Sequence, residues 1–218
     1  MTSFPLRASL LFLAALVAGA TCRAAEPANL GAHKDEIRAY VKSGEYQRDM
    51  AKVAGEADAW LQARARQGGA NLTVLFDVDE TLLSNLPEME SIDFGYVPRI
   101  WTEWIAKAEA PGLTPACEVF RSARRLGFRV IILSGRRERD RAGTEKNLRA
   151  VGCGDYERLI LKADDEHVTT GAWKTEQRRK LVAEGCVIVA NIGDQDSDFL
   201  GGMAERNFKL PSPFYLMK

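Results

Sequence analysis

Four short apolar segments recur in the central and C-terminal parts of the chain, at residues 72–76, 130–133, 159–161 and 187–192. Each has the length of a β-strand, and most are rich in Val, Ile or Leu, which is typical of strands buried on both faces. Helical patterns alternate with them, at about residues 115–126, 139–150 and 174–184. Strands that alternate with helices pair in parallel, so the pattern predicts an α/β fold built on a Rossmann-like open parallel sheet.

Two further segments flank the first predicted strand. Residues 25–69 form an N-terminal helical segment, in which apolar residues recur at helical spacing and Gly44 separates two helices. Residues 84–112 are too many for a loop in a compact domain, and they include Trp101 and Trp104. We therefore expect a small helical cap at about residues 84–112, inserted into a core domain that spans residues 70–218.

The first residues have the organisation of a secretory signal peptide. Arg7 precedes an uncharged, Leu- and Ala-rich run at residues 8–20, and small residues follow up to Ala25. The run is short for a bilayer span, so a cleaved signal peptide at residues 1–24 is favoured over an N-terminal membrane anchor. We therefore expect a periplasmic or secreted protein that has no membrane span in its mature form.

Composition narrows the range of functions. Charged residues make up 28% of the chain and the formal net charge is zero. Because there is neither a basic block nor an RNA-binding fingerprint, a structural nucleic acid partner is not expected. Cleavage after residue 24 would leave Cys117, Cys153 and Cys186, which allow at most one internal disulfide of unknown pairing. The chain has no CxxC pair, so zinc is not indicated.

Polar residues follow three of the four predicted strands, at residues 77–81 (DVDET), 134–136 (SGR) and 193–198 (GDQDSD). Ligands of open α/β sheets bind at the carboxyl ends of the strands, so these residues should converge on one crevice. Clustered carboxylates repel one another and are tolerated best around a hard cation. Oxygen ligands favour Mg²⁺ over zinc or copper, and the sequence therefore predicts a magnesium site suited to phosphate.

Lys174 offers a positive charge for the same crevice. Taken alone, Lys174 would be a solvated lysine, Ser134 a strand-ending cap and Arg136 a surface charge. The predicted acidic crevice gives Lys174 a reason to lie near it. An EF-hand at residues 194–198 is excluded, because Phe199 stands where that loop requires glycine.

These motifs, in this order, resemble the four motifs of the haloacid dehalogenase (HAD) superfamily, with Lys174 as the third. The resemblance is tighter to an acid phosphatase subgroup of class B type, which includes plant acid phosphatases and vegetative storage proteins. Supporting stretches lie at residues 43–49, 147–148 and 207–211, and the resemblance runs from about Tyr40 to the C-terminus. Plant members often carry tryptophan where this chain has Asp196, and we expect Asp196 to face solvent.

The resemblance implies roles for the acidic residues. Asp77 would be the nucleophile that forms an aspartyl-phosphate. Asp79 would be the general acid for the leaving alkoxide and then the base for the attacking water. Asp77, the backbone carbonyl of Asp79 and the side chain of Asp194 would hold Mg²⁺, and Asp198 would support the metal shell.

The resemblance also implies how phosphate is bound. The Ser134 hydroxyl and the Gly135 amide would bind phosphoryl oxygens, and Lys174 would neutralise phosphate charge and steady Asp77. The expected function is therefore a Mg²⁺-dependent acid phosphatase acting on small phosphomonoesters, since phosphoryl transfer depends on positioning and charge neutralisation.

Two alternatives stay open. Storage members of the resembling subgroup keep the fold and can lose the nucleophile, so a non-catalytic, storage-type or phosphate-binding protein is the first alternative. A phosphotransferase that passes phosphate to an alcohol is the second, because it would use the same residues. The natural substrate, the oligomeric state and the role of Trp101 and Trp104 are not readable from the sequence.

Overall fold

The computed structural model describes residues 25–217, and at its centre lies a five-stranded parallel sheet. The strands are β1 (Leu72–Phe76), β2 (Arg129–Arg137), β3 (Arg158–Lys162), β4 (Val187–Gly193) and β5 (Asn207–Lys209). They are ordered β3-β2-β1-β4-β5, and every neighbouring pair is parallel. The predicted parallel α/β sheet is confirmed. Strand β5, which pairs with β4 through three residues, was not predicted from the sequence.

Helices connect and cover the strands. They are α1 (Leu30–Lys42), α2 (Glu45–Ala65), α3 (Leu86–Ser91), α4 (Pro98–Lys107), α5 (Thr114–Arg125), α6 (Arg141–Ala150) and α7 (Thr170–Ala183). Short 3₁₀ turns occupy Glu138–Asp140 and Asp196–Asp198. The predicted α7 began four residues too late, at Lys174. In the structure Thr169 caps the helix, and its side chain accepts a hydrogen bond from the Ala172 amide.

The sheet carries a hydrophobic core on each face. Alternate residues of β1 point to opposite faces, so Phe76 belongs to the larger core and Leu75 to the smaller one. The larger core is covered by α2, α5 and α6. The smaller core includes Leu181 of α7. Burial on both faces explains why the strands read as continuous apolar runs.

The N-terminal helices are tied to the main core. Gly44 adopts a left-handed conformation, with φ of 76°, and separates α1 from α2 as predicted. The apolar stripe of α2 is buried against the sheet and α5, and its members are Tyr46, Met50, Ala54, Ala57 and Leu61. Trp60 donates its indole N–H to the carbonyl of Val189 in β4, at 2.9 Å.

The segment at residues 84–112 folds as helices α3 and α4, in agreement with the predicted helical insertion. Its two ends meet, because Leu83 forms a bridge with Gly112. Helix α4 packs against α6 and against the 3₁₀ turn that precedes α6. Gly143 of α6 allows this approach, since a Cβ there would collide with the carbonyl oxygen of Ile105.

The predicted signal peptide, residues 1–24, lies outside the described residues. Among residues 25–217, no helix is both long enough and apolar enough to cross a membrane. Cys117, Cys153 and Cys186 are buried and carry free thiols.

Candidate active site

The polar residues predicted to converge do so at the carboxyl edge of the sheet. Asp77 directly follows β1, Asp194 directly follows β4, and Ser134 lies in the last part of β2. The sheet order places β1 between β2 and β4. The chain runs outwards through β2 and β3 on one side of β1, and through β4 and β5 on the other. This reversal of strand order opens a crevice, as in other open α/β sheets.

An irregularity in β2 directs its last residues toward the crevice. Leu133 pairs with Ile160, and the next pair is Arg137 with Lys162, so three residues of β2 lie opposite one residue of β3. Such a bulge bends a strand and re-aims its side chains. Residues 134–136 therefore leave the regular ladder. The buried Ser134 hydroxyl accepts a hydrogen bond from the Arg136 amide, at 3.2 Å.

Three buried aspartates and one buried lysine form the centre of the site. Asp77, Asp194 and Asp198 each offer a carboxylate oxygen, and these oxygens lie within 4.8 Å of one another. The Lys174 ammonium lies 2.5 Å from Oδ1 of Asp77 and 2.5 Å from Oδ1 of Asp198. Gly193 lets Asp198 approach, because a Cβ at position 193 would collide with its carboxylate.

Charge and burial oppose one another at this centre. Burial raises the pKa of Asp77, and the nearby Lys174 opposes that rise. For Lys174, burial favours the neutral amine, but the charges of Asp198 and Asp77 outweigh burial and raise its pKa. The lysine is positioned to hold two carboxylates at once, and their charges favour its ammonium form.

The donor set fits a divalent cation. Three carboxylates share one ammonium, so the centre carries surplus negative charge. Asp194 has no cationic partner among the described residues and receives a hydrogen bond from Gln195 Nε2, at 2.7 Å. Burial first, and then the charge of Asp198, raise the pKa of Asp194 to about 7. A hard cation with oxygen ligands would relieve this repulsion.

The side chain of Asp79 belongs to a second group of residues, beside the three aspartates. Its carboxylate accepts hydrogen bonds from Arg136 Nη2 at 2.7 Å and from Asn85 Nδ2 at 2.8 Å. Arg136 was expected to be a surface charge, and that expectation was wrong. Its side chain is 2% exposed and forms an ion pair with Asp79, which stabilises a guanidinium that burial alone would disfavour.

Glu80 was not recognised as a site residue from the sequence. It is fully buried, and its carboxylate accepts hydrogen bonds from the backbone N–H of Asn85, from Asn85 Nδ2 and from the Tyr215 hydroxyl. Burial, followed by the charge of Asp79, raises its pKa to about 7. Asn85 thereby joins the carboxylates of Asp79 and Glu80. The Glu80 carboxylate also accepts a hydrogen bond from Tyr215 in the C-terminal tail.

The C-terminal tail is also fixed to the site through Gln195. Gln195 Nε2 donates to Ser212 Oγ at 2.9 Å, and Gln195 Oε1 accepts from the Met217 amide at 3.0 Å. Because the same amide group contacts Asp194, the tail supports the acidic centre. No sequence signal marked Asn85, Gln195 or Tyr215. Tyr215 lies 135 residues from Glu80, and the tail residues Ser212 and Met217 lie 17 and 22 residues after Gln195.

The structure thus divides the predicted site residues into two groups. Asp77, Asp194, Asp198 and Lys174 meet at the centre, whereas the Asp79 carboxylate lies with Arg136 and Asn85. Ser134 and Gly135 lie at the end of β2, where a Cβ on Gly135 would press against the Thr170 side chain. Asp196 is exposed, as expected.

Comparison with known proteins places this geometry in a family. The model of HAD superfamily subfamily IIIB, the acid phosphatases, matches residues 13–218. Acid phosphatase 1 of Solanum lycopersicum is 37% identical over 186 residues, which cover 83% of this chain and 73% of the tomato protein. Vegetative storage protein 1 of Arabidopsis thaliana is 33% identical over 193 residues, covering 87% of this chain and 71% of that protein.

Solved structures agree with the sequence comparison. The class C acid phosphatase from Bacillus anthracis, solved with tungstate bound, superposes with a TM-score of 0.69 at 26% identity. The match covers 84% of this chain and 86% of the Bacillus chain. The chain therefore belongs to HAD superfamily subfamily IIIB, the acid phosphatases, and with them to the phosphoric monoester hydrolases.

Proposed function

We propose that the protein is a Mg²⁺-dependent acid phosphatase that hydrolyses small phosphomonoesters through an aspartyl-phosphate on Asp77. The observation that carries this proposal is the contact of one buried ammonium, Lys174, with both Asp77 and Asp198, beside Asp194. A nucleophilic carboxylate, a fixed cation and a surplus of carboxylates meet at one point. Phosphoryl transfer requires these components.

The first half-reaction transfers the phosphoryl group to the enzyme. The Asp77 carboxylate attacks phosphorus, and the bond between phosphorus and the leaving oxygen breaks. Asp79 gives a proton to that oxygen, so the product leaves as a neutral alcohol. Lys174 holds Asp77 Oδ1, at 2.5 Å, so the nucleophile is oriented before substrate arrives.

The second half-reaction returns the enzyme to its starting state. Asp79 takes a proton from water, the water oxygen attacks phosphorus, and the bond to Asp77 breaks to release inorganic phosphate. Ser134, the Gly135 amide and Lys174 bind the phosphoryl oxygens in both halves.

Asp77, the backbone carbonyl of Asp79 and the side chain of Asp194 would hold the metal, with Asp198 supporting them. When bound, Mg²⁺ supplies positive charge that neutralises phosphoryl oxygens as the bond to phosphorus changes. Asp198 is itself held by Lys174 and by the backbone N–H of Gln195, which donates to Asp198 Oδ2 at 3.0 Å. It therefore has little freedom to leave its position at the centre of the site.

A storage role is the second candidate, since relatives named vegetative storage proteins are 33% and 34% identical to this chain. The contact of Lys174 with Asp77, together with an Asp194 carboxylate oxygen within 4.8 Å of one of Asp77, favours catalysis over storage. A phosphotransferase would use the same groups with an alcohol in place of water. Export to the periplasm or the exterior is part of the proposal and rests on the sequence of residues 1–24.

Assay of the purified protein with aryl and alkyl phosphates, before and after chelation of divalent ions, tests the proposal. We expect turnover that chelation abolishes and that added Mg²⁺ restores. Undiminished turnover after chelation would show that the reaction does not depend on a divalent metal ion. No turnover of any phosphomonoester with Mg²⁺ supplied would support the storage role, and release of a new phosphate ester in the presence of alcohols would support the phosphotransferase.

A further inference from the structure

The Asp79 carboxylate is held asymmetrically. Its Oδ1 accepts three hydrogen bonds, from Arg136 Nε at 3.0 Å, from Arg136 Nη2 at 2.7 Å and from Asn85 Nδ2 at 2.8 Å. Its Oδ2 receives only the longer contact from Arg136 Nε, at 3.2 Å. Three donors occupy Oδ1, so it has little capacity to accept a further contact. Oδ2 is therefore the less engaged oxygen and the one left to face a substrate.

Arg136 is fixed from the side opposite to Asp79. Its Nη1 donates to Thr144 Oγ1 at 3.1 Å, and the Thr144 hydroxyl donates to the carbonyl of Asp140 at 2.9 Å. The planar guanidinium presents its donors in a rigid fork, so these contacts determine where the Asp79 carboxylate can lie. The Trp101 ring of α4 covers the guanidinium, with a distance of 6.0 Å to the ring centroid.

Asn85 is fixed by the other tryptophan of the same helix. Trp104 Nε1 donates to Asn85 Oδ1 at 2.9 Å. An indole N–H can only donate, so the amide oxygen of Asn85 must face Trp104. The Asn85 NH₂ group must then face the carboxylates, where it donates to Asp79 and Glu80. Trp104 thus determines the orientation of the Asn85 side-chain amide.

Trp101 and Trp104 are three residues apart, which places them on one face of α4. Through them a single helix of the inserted segment contacts both residues that hold Asp79. Residues of β2 and of the loop before α3 hold the carboxylate, but α4 holds those residues in turn. This arrangement links the position of the insertion to the orientation of one carboxyl group.

We propose that α4 is a positioning element for Asp79, acting through Trp104 on Asn85 and through Trp101 on Arg136, so that Oδ2 faces the leaving oxygen. The proposal rests on the proposed function, in which Asp79 protonates that oxygen. Trp104 contacts Asn85 and Trp101 contacts Arg136, so each acts on Asp79 through another residue. Their effect should therefore appear only in steps that need proton transfer from Asp79.

Leaving groups of different basicity separate positioning from general damage. An alkyl leaving group needs a proton from Asp79, whereas an activated aryl leaving group needs little protonation. Loss of a well-oriented acid should lower kcat/KM for alkyl phosphates and leave transfer from aryl phosphates to Asp77 nearly unchanged. Damage to the fold or to phosphate binding would lower both together.

The experiment uses Trp104→Phe, which removes the indole N–H and keeps an aromatic ring, with Glu103→Gln on the exposed side of α4 as the matched control. Single-turnover rates are measured with one aryl and one alkyl phosphate, and thermal melting checks the fold. We expect the alkyl rate of Trp104→Phe to fall about tenfold more than its aryl rate, a fraction of the factor that general acids supply. Glu103→Gln should match the wild type. Asn85→Ala should reproduce the Trp104→Phe pattern and serves if Trp104→Phe does not fold.

A double mutant completes the test. In an Asp79→Asn background, Trp104→Phe should cause no further change in the ratio of alkyl to aryl rates, because the group that it positions is already gone. Equal losses on both substrates, or additive losses in the double mutant, would overturn the positioning role while leaving the proposed phosphatase function standing. Wild-type protein that turns over neither substrate would overturn the proposed function and this inference together.

Discussion

Lys174 Nζ lies 2.5 Å from Asp77 Oδ1, although 97 residues separate the two in the chain. The contact joins the second turn of α7 to the first residue after β1, on the two elements that border the crevice. Both side chains are buried, so protein groups stabilise their charges: Lys174 is the cation beside Asp77, and Lys174 has a second partner in Asp198.

Replacing Lys174 by Met should therefore affect both stability and activity. It leaves Asp77 and Asp198 without their cation, and breaking a buried pair in this way costs about 3–5 kcal/mol of unfolding free energy. We expect this loss in urea denaturation of the metal-free protein and a smaller loss with Mg²⁺, which would neutralise the same carboxylates. Turnover should fall below detection. An equal stability loss with and without Mg²⁺ would contradict a shared site for the lysine and the metal.

Asp77→Asn should abolish turnover and keep the fold. The substitution removes the nucleophilic carboxylate, which is one of three crowded carboxylates. Burial of Asp77 and the charges of Asp198 and Asp194 raise its pKa, so its ionised form is disfavoured in the folded protein. We therefore expect a melting temperature of the metal-free variant no lower than that of the wild type. Activity near the wild-type level would remove Asp77 from the role of nucleophile.

Glu80 gives a prediction about pH. Its pKa is raised from 4.5 to about 7 in the folded protein, first by burial, so the folded state binds a proton that the unfolded state has released. The stabilisation is complete below the unfolded pKa and is lost as pH rises through the folded pKa. As pH rises from the unfolded to the folded pKa of Glu80, the free energy of unfolding should fall by roughly 3 kcal/mol because of this group.

Comparison of wild type with Glu80→Gln isolates this effect. Both metal-free proteins would be unfolded in urea at several pH values from 4.5 to 8. The stability of the wild type should fall relative to the variant as pH rises, by up to about 3 kcal/mol. Parallel pH dependences would show that Glu80 keeps an ordinary titration in the folded protein.

The sheet and the acidic centre could be predicted from the sequence, because both depend on local patterns. The apolar run at residues 72–76 coincides with β1, because the run ends at the charged Asp77 and is buried on both sheet faces. Asp194 and Asp198 could be placed because each follows the end of β4. The parallel topology alone then brings these ends together.

Features that depend on tertiary contacts were missed or misread. Strand β5 has one buried residue, Phe208, between two exposed polar ones, and offers no apolar run. Arg136 was taken for a surface charge, because nothing adjacent in sequence shows that Asp79, 57 residues away, would pair with it. The contact of Trp104 with Asn85 likewise depends on how the insertion folds back, which spacing within α4 does not specify.

Asp79→Asn should separate the two half-reactions. An aryl phosphate needs little protonation of its leaving oxygen, so transfer to Asp77 should proceed at close to the wild-type rate. Hydrolysis of the aspartyl-phosphate needs a base for water and should slow by about 10²–10⁴-fold. Stopped-flow release of the aryl alcohol should then show a burst of one product per site followed by a slow phase. Equal slowing of both phases would assign the base to another residue.

Acid quenching detects the covalent bond between phosphate and Asp77 on which the proposed function depends. Asp79→Asn would be mixed with a radiolabelled aryl phosphate and Mg²⁺, quenched in acid within the burst phase and digested for peptide mapping. We expect label on the peptide that contains Asp77, released by hydroxylamine and absent from the Asp77→Asn,Asp79→Asn double variant. Label on another residue, or product formation with no labelled protein at any time, would contradict it.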